Sequence, residues 1–303
     1  MILLIGFVFV LLIVAFPEFR IICKHPFKTV KWAIIDLYRY IHDKQYNIYQ
    51  AGKIIAYCAY FGGGKTLSMV EYVLFVFKRY NNKRYYDRRQ GKWVTQIFHF
   101  ITNVDIKGVP QNQVEALENL GQIVRFAEVS QKIDQELNTR TVCVTVLDEA
   151  SGEMNSRSFK ENGLSGAFLN TLVTVRHASI DIIYSSQEFG LVDKLLRDVT
   201  KRVIWCEKTW RFLVQKTYFA KEVENCAGDV SLLKPLKTIG IFVEDKLYNA
   251  YDTLANVESL AKKWRDGDLL TEQEILELRG QSIANTDMIN PSKKFIKRRK
   301  KLK

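Results

Sequence analysis

The chain has 303 residues, with 45 Lys and Arg against 33 Asp and Glu, for a net charge of +12. Apolar residues make up 47% and charged residues 26%, which excludes disordered and collagen-like chains and leaves room for one large domain or two small ones. Eight of the last twelve residues, Ser292 to Lys303, are Lys or Arg, so the remainder carries only +4. Five cysteines and four histidines are scattered without metal-ligand or disulfide spacing, and the bulk of the chain reads as cytoplasmic and reduced. Cys58 and Cys143 fall in apolar strand-like runs and read as packing residues.

The first feature in chain order is Ile2 to Phe16, fifteen consecutive apolar residues closed by Pro17. As a helix they extend about 22 Å, short of a ~30 Å hydrocarbon core unless the helix continues past Pro17 through Phe19, Ile21 and Ile22. No basic segment precedes the run, and Arg20, Lys24, Lys28 and Lys31 follow it. That pattern argues for a retained anchor over a signal peptide. It predicts a single-pass membrane protein, N-terminus outside and the rest cytoplasmic. The next stretch, TVKWAIIDLYRYIHD, has helical spacing of apolar and basic residues and reads as a helix on the membrane surface or a plain linker helix.

Lys53 to Tyr57 (KIIAY) reads as a buried strand and LSMVEYVLFVFKRY as an amphipathic helix; between them stands Ala59-Tyr-Phe-Gly-Gly-Gly-Lys65-Thr66. This is a Walker A phosphate loop with its leading Gly replaced by Ala. Gly62, Gly63 and Gly64 let successive backbone N–H groups curl round a phosphate, and the following helix, through Thr66 and Leu67, adds its N-terminal dipole. Lys65 reaches the β- and γ-phosphates, and the Thr66 hydroxyl ligates Mg²⁺. The β-branched run Thr141 to Leu147 ends in Asp148-Glu149. Asp148 there serves the metal through water and Glu149 polarises an attacking water, a pairing that favours hydrolysis of Mg-ATP.

Leu164 to Val175 reads as a helix, followed by Arg176-His177, the strand Ile180 to Ser185, and Gln187. Gln187 at a strand end is a sensor for the γ-phosphate, and Arg176 and Arg197 are both candidate arginine fingers. Lys78 to Trp93 holds seven basic residues, one acid and four large aromatics. It is either a single-strand DNA contact or a solvated or membrane-facing loop. The basic tail serves DNA or anionic lipid, and Ser259 to Arg279 reads as two short helices.

With those motifs in place the sequence resembles the Zot (zonular occludens toxin-like) family of filamentous-phage assembly ATPases, in the FtsK/HerA-like branch of P-loop NTPases. The resemblance runs through GGGKTLSM, Ile101-Thr-Asn-Val104, VTVLDEA, RHASIDIIYSSQEFGLVDKLLRDV and Tyr251-Asp252-Thr253, about residues 53 to 255. It implies that Gln187 is the glutamine after Walker B and that Arg176, rather than Arg197, is the finger. It further implies a homo-oligomeric ring acting on single-stranded DNA or phage nucleoprotein, with membrane lipid and phage coat or exit proteins as partners. Members usually place the ATPase before a membrane span and an exit-side domain, whereas here the apolar run comes first and no second span is expected.

The expected fold is α/β, a P-loop domain with a mostly parallel central sheet preceded by an N-terminal membrane helix. The expected units are an anchor at 1–23, a juxtamembrane amphipathic helix at 24–50, the ATPase domain at 51–256, and a helical segment with basic tail at 257–303. The function expected is a membrane-anchored motor for phage extrusion. The alternatives are a translocase for conjugation or capsid packaging, and a nucleotide-gated membrane scaffold with little turnover.

Overall fold

The computed structural model describes residues 16–117, 121–150, 179–226 and 229–252. The helix expected at Leu164 to Val175, Arg176, the segment 257–303 and all of the N-terminal apolar run but Phe16 lie outside the described residues. Two short helices come first, α1 (Pro17–Lys24) and α2 (Pro26–His42). Strand β1 (Ile54–Cys58) leads through the glycine loop into α3 (Lys65–Tyr80), then β2 (Lys83–Asp87), β3 (Lys92–Thr102), β4 (Asp105–Ile106) and β5 (Val114–Ala116). Helix α4 (Gly121–Leu137) precedes β6 (Thr139–Leu147) and β7 (Ile180–Ser186). After α5 (Lys194–Val199) come β8 (Arg202–Thr209), β9 (Phe212–Phe219), α6 (Ala220–Asn225), β10 (Lys237–Phe242), α7 (Asp245–Tyr248) and β11 (Tyr251–Asp252).

Among the described residues the main sheet has nine strands, in the order β10-β9-β8-β1-β7-β6-β3-β2, with β5 also paired to β3. Its centre, β8-β1-β7-β6-β3, is parallel throughout, and β2, β9 and β10 add antiparallel edges. The mostly parallel sheet read from the sequence is therefore present. The central strands are β-branched because they are covered on both faces. Ile54, Ala56, Cys58, Ile182, Tyr184 and Trp205 line one core, while Tyr57, Val142, Val144, Val146 and Ile183 line the other. Helix α3 closes the second core with Leu67, Val70, Val73 and Val76, all spaced by three residues along one face. Cys58 and Cys143 are buried and free, and burial pushes the Cys143 thiol up to about 12.

The expected membrane anchor is not upheld. Among the described residues no helix is long and apolar enough to cross a membrane. Phe16 is extended (φ −120°, ψ 111°) and Pro17 opens α1, so no continuous helix runs from the apolar stretch into Phe19, Ile21 and Ile22. Proline lacks the N–H that would join it to a preceding turn. A second break follows at His25, where Pro26 opens α2. Helix α2 has 17 residues, about 26 Å at 1.5 Å per residue, and carries Lys28, Lys31, Asp36 and Arg39. On these findings the single-pass assignment, with its outside N-terminus and cytoplasmic ATPase, is withdrawn, and the fold of the described residues contains no membrane helix.

The stretch Lys78 to Trp93 is also more ordered than a loop. It contains the end of α3, all of β2 and the start of β3. Asn82 (φ 57°) and Gly91 (φ 65°) make the turns on either side.

Candidate functional site

The site is built where β1, β6 and β7 end side by side. Their register pairs Cys58 with Ser186 and Leu147 with Tyr184. The residues following each strand therefore emerge together at the carboxyl edge of the sheet, where open α/β folds take their ligands. The glycine loop leaves β1 there, Asp148 leaves β6, and Ser185 and Gln187 close β7.

Backbone conformation explains the three glycines. Gly62 (φ 73°) and Gly64 (φ 86°) occupy the left-handed region. At Gly63 a Cβ would lie 2.6 Å from Ala59 Cβ, 3.0 Å from the Tyr60 carbonyl oxygen and 3.2 Å from that of Cys206. The Gly63 N–H donates to the Tyr60 carbonyl at 3.0 Å, which tightens the loop. Lys65 is buried at the first turn of α3, and its ammonium donates to the Ala59 carbonyl at 3.2 Å, folded back over the loop.

Asp148 is held from three sides. Thr66 Oγ1 donates to its Oδ2 at 2.7 Å and Ser185 Oγ to its Oδ1 at 2.5 Å. Asn103 Oδ1 accepts from the Asp148 N–H at 2.8 Å, and Asn103 Nδ2 donates to the Asp148 carbonyl at 2.9 Å. Glu149 is exposed with φ 55°, and its N–H donates to Ser185 Oγ at 2.8 Å. A positive φ in a non-glycine residue costs about 1 kcal/mol or more and is held only by its surroundings. Ser185 pins that turn through the Glu149 N–H, and the Glu149 side chain is left exposed. Strand, glycine loop, helix and carboxylate thus form one unit. This is the arrangement of a P-loop.

No family profile matches the sequence, and no curated protein matches it. Among solved structures the chain is similar to the N-terminal domain of zonular occludens toxin from Neisseria meningitidis, at 16% identity and a TM-score of 0.44, covering 67% of this chain and 100% of that one. It is also similar to the genome-packaging NTPase B204 of Sulfolobus turreted icosahedral virus 2 in complex with ATP-gammaS, at 13% identity and a TM-score of 0.37, covering 63% of this chain and 92% of that one. The DNA-packaging ATPase B204 of Sulfolobus turreted icosahedral virus gives 14% identity and a TM-score of 0.36, covering 64% of this chain and 94% of that one.

Of the residues singled out in the sequence, Gly62, Gly63, Gly64, Lys65, Thr66, Leu67, Asp148, Glu149 and Gln187 all fall at this one edge of the sheet. Arg176 lies outside the described residues. Arg197, the other finger candidate, is engaged elsewhere: its guanidinium pairs with Glu224 of α6 at 2.9 Å. Ser185 and Asn103 were not singled out. Their importance depends on strand register, which places Ser185 beside Asp148 although the two are far apart in sequence. Tyr60 was likewise missed; its ring meets that of Trp205 edge-on at 5.3 Å, beside a hollow of about 520 Å³.

The donor set fits a magnesium ion. A hydroxyl and a carboxylate, both oxygen donors, meet at the N-terminus of α3, the combination a hard divalent cation takes next to phosphates.

Proposed function

We propose that the chain hydrolyses Mg-ATP as a motor for filamentous phage assembly and extrusion, moving single-stranded DNA as a homo-oligomeric ring alongside phage coat or exit proteins. The observation that carries the nucleotide part is the contact of the Thr66 hydroxyl with the Asp148 carboxylate across the mouth of the glycine loop. The phage part is supported by the order of motifs shared with the Zot family.

In this reading the loop N–H groups and the α3 terminus hold the phosphates, and Lys65 leaves the Ala59 carbonyl to neutralise the β- and γ-oxygens. Thr66 and Asp148 would hold Mg²⁺, which would supply charge neutralisation on the phosphates. Glu149 orients and deprotonates water, with its backbone fixed by Ser185. Gln187 follows Ser186, which lies opposite Cys58 at the entry to the glycine loop, a position suited to sensing the γ-phosphate. Arg176, donated across a subunit boundary, stabilises transition-state charge.

The test is ATP turnover of the full chain with no DNA, single-stranded DNA or duplex, alongside Glu149→Gln. Stimulation by single strands that disappears in Glu149→Gln supports the motor. A turnover that persists in Glu149→Gln would remove Glu149 as the base that activates water, and stimulation by duplex alone would favour a packaging or conjugative translocase.

A further inference from the structure

The sheet carries a second concave surface at its other end. A hollow of about 710 Å³ is lined by Tyr85, Tyr86, Arg88, Arg89 and Arg140, among others. Arg140 stands at the start of β6 and Asp148 just past its end, about 26 Å apart at 3.3 Å per residue. The hollow is therefore remote from the phosphate loop. Its floor belongs to the hairpin β2–β3, whose outer strand β2 is an edge of the sheet.

The acids at this hollow are committed to internal bonds. Asp87 Oδ1 accepts from the N–H groups of Arg89 and Gln90 at 2.8 and 3.4 Å. Asp134 accepts from the Thr139 hydroxyl at 2.8 Å and the Thr141 N–H at 2.7 Å. Asp43 takes the Arg88 guanidinium. Against this, the exposed side chains of Arg89, which lines the hollow, and of Lys83 and Arg84, which lie on β2 outside its lining, have no partner among the described residues. Aromatic faces stand among these cations. Tyr86 and Trp93 are direct cross-strand partners with ring centroids 5.6 Å apart, and the Lys44 ammonium lies 5.9 Å from the Trp93 ring.

We propose that this hairpin and hollow form the contact for a single nucleic-acid strand, a surface distinct from the nucleotide site; the choice of ligand rests on the motor reading. Free cations capture backbone phosphates at any sequence, and an unpaired base can stack on Tyr86 or Trp93. A duplex keeps its bases stacked internally and gains only the charge. A lipid headgroup layer is flat and makes no use of a hollow. Edge strands also carry lysine and arginine merely to discourage strand pairing, and the experiment separates that role from a binding one.

The experiment is fluorescence anisotropy of the full chain with labelled oligo-dT and with a duplex of equal length, over a salt series. Wild type should prefer the strand. Lys83→Glu combined with Arg89→Glu should weaken strand binding about tenfold or more and flatten its salt slope. Tyr86→Leu should weaken the strand and spare the duplex. ATP turnover without DNA should be unchanged in all of them, because none lies near the phosphate loop. Unaltered strand affinity in the charge-reversed variant would overturn the proposal. So would loss of binding to phosphatidylserine vesicles with DNA affinity intact, which would assign the hairpin to lipid. Strand binding lost with the hairpin charges in a chain that never hydrolyses ATP would uphold the contact and overturn the motor.

Discussion

Thr66 and Asp148 meet across 2.7 Å, joining the first turn of α3 to the end of β6, and Ser185 of β7 donates to the other oxygen of the same carboxylate. Two chain segments thus converge through hydroxyl groups on one aspartate at the end of a third. Ser185 has a second duty, since the Glu149 N–H donates to it at 2.8 Å. Ser185→Ala therefore unties the metal-side carboxylate and the water-side glutamate together. The expected outcome is a turnover reduced about tenfold or more, with a stability cost of about 1–3 kcal/mol for the orphaned buried groups. Steady-state ATP turnover and urea unfolding of the same preparation check both; full turnover would remove Ser185 from the site.

Glu149 combines a proposed chemical role with a strained backbone, and two substitutions separate them. Glu149→Gln keeps the φ of 55° and removes only the carboxylate, so it should bind nucleotide while turnover falls about 100-fold or more. Glu149→Gly should lose turnover equally and gain about 1 kcal/mol in stability, because glycine adopts positive φ freely. A more stable, inactive glycine variant is the signature of strain held for function. A destabilised one would mean that the Glu149 side chain contributes to the fold.

Most of this site was legible because it depends on local chemistry. The strands expected at Lys53–Tyr57, Thr141–Leu147 and Ile180–Ser185 form as Ile54–Cys58, Thr139–Leu147 and Ile180–Ser186. β-Branched runs between glycine loops and polar turns leave few other options. The glycine loop, Lys65, Thr66 and Asp148 follow from strand-to-helix order alone. Ser185 and Asn103 could not be read, since their partners are set by register between strands distant in sequence. β2 was hidden by its charge: Lys83, Arg84 and Asp87 mask the β-forming Tyr85 and Tyr86. At the N-terminus, hydropathy and the flanking charges suggested a span continued past Pro17, whereas Pro17 and Pro26 each open a separate helix.

The phosphate loop offers a graded test of its own geometry. Gly63→Ala introduces a methyl 2.6 Å from Ala59 Cβ and close to two backbone carbonyls, none of which is the free end of a flexible side chain. Gly62→Ala meets nothing within 4 Å and pays only for its φ of 73°, about 1 kcal/mol. Gly63→Ala should abolish binding of a fluorescent ATP analogue, and Gly62→Ala should weaken it modestly. Equal effects would show that the loop rearranges when nucleotide arrives.

Asp181 allows a pH argument far from the phosphate loop. It is fully buried at the start of β7, where Tyr49 Oη and the N–H groups of Gly52 (2.7 Å) and Lys53 (2.9 Å) donate to it. Burial raises its pKa above the usual carboxylate value of 3.8, and the hydrogen bonds from Tyr49, Lys53 and Gly52 only partly oppose this. A raised folded pKa means that the folded state holds the proton after the unfolded chain has released it. Stability from this group is therefore complete below pH 3.8 and declines as pH rises through the folded value. Asp181→Asn keeps an acceptor for the Gly52 and Lys53 N–H groups and cannot ionise. Urea unfolding of both proteins across acidic to neutral pH should show the wild type losing stability relative to the variant as pH rises, with no further divergence once Asp181 is ionised in both states. A difference that stays flat, or that moves toward the wild type with rising pH, would mean that the Tyr49, Gly52 and Lys53 donors outweigh burial and that Asp181 is an ionised anchor for the chain entering β1.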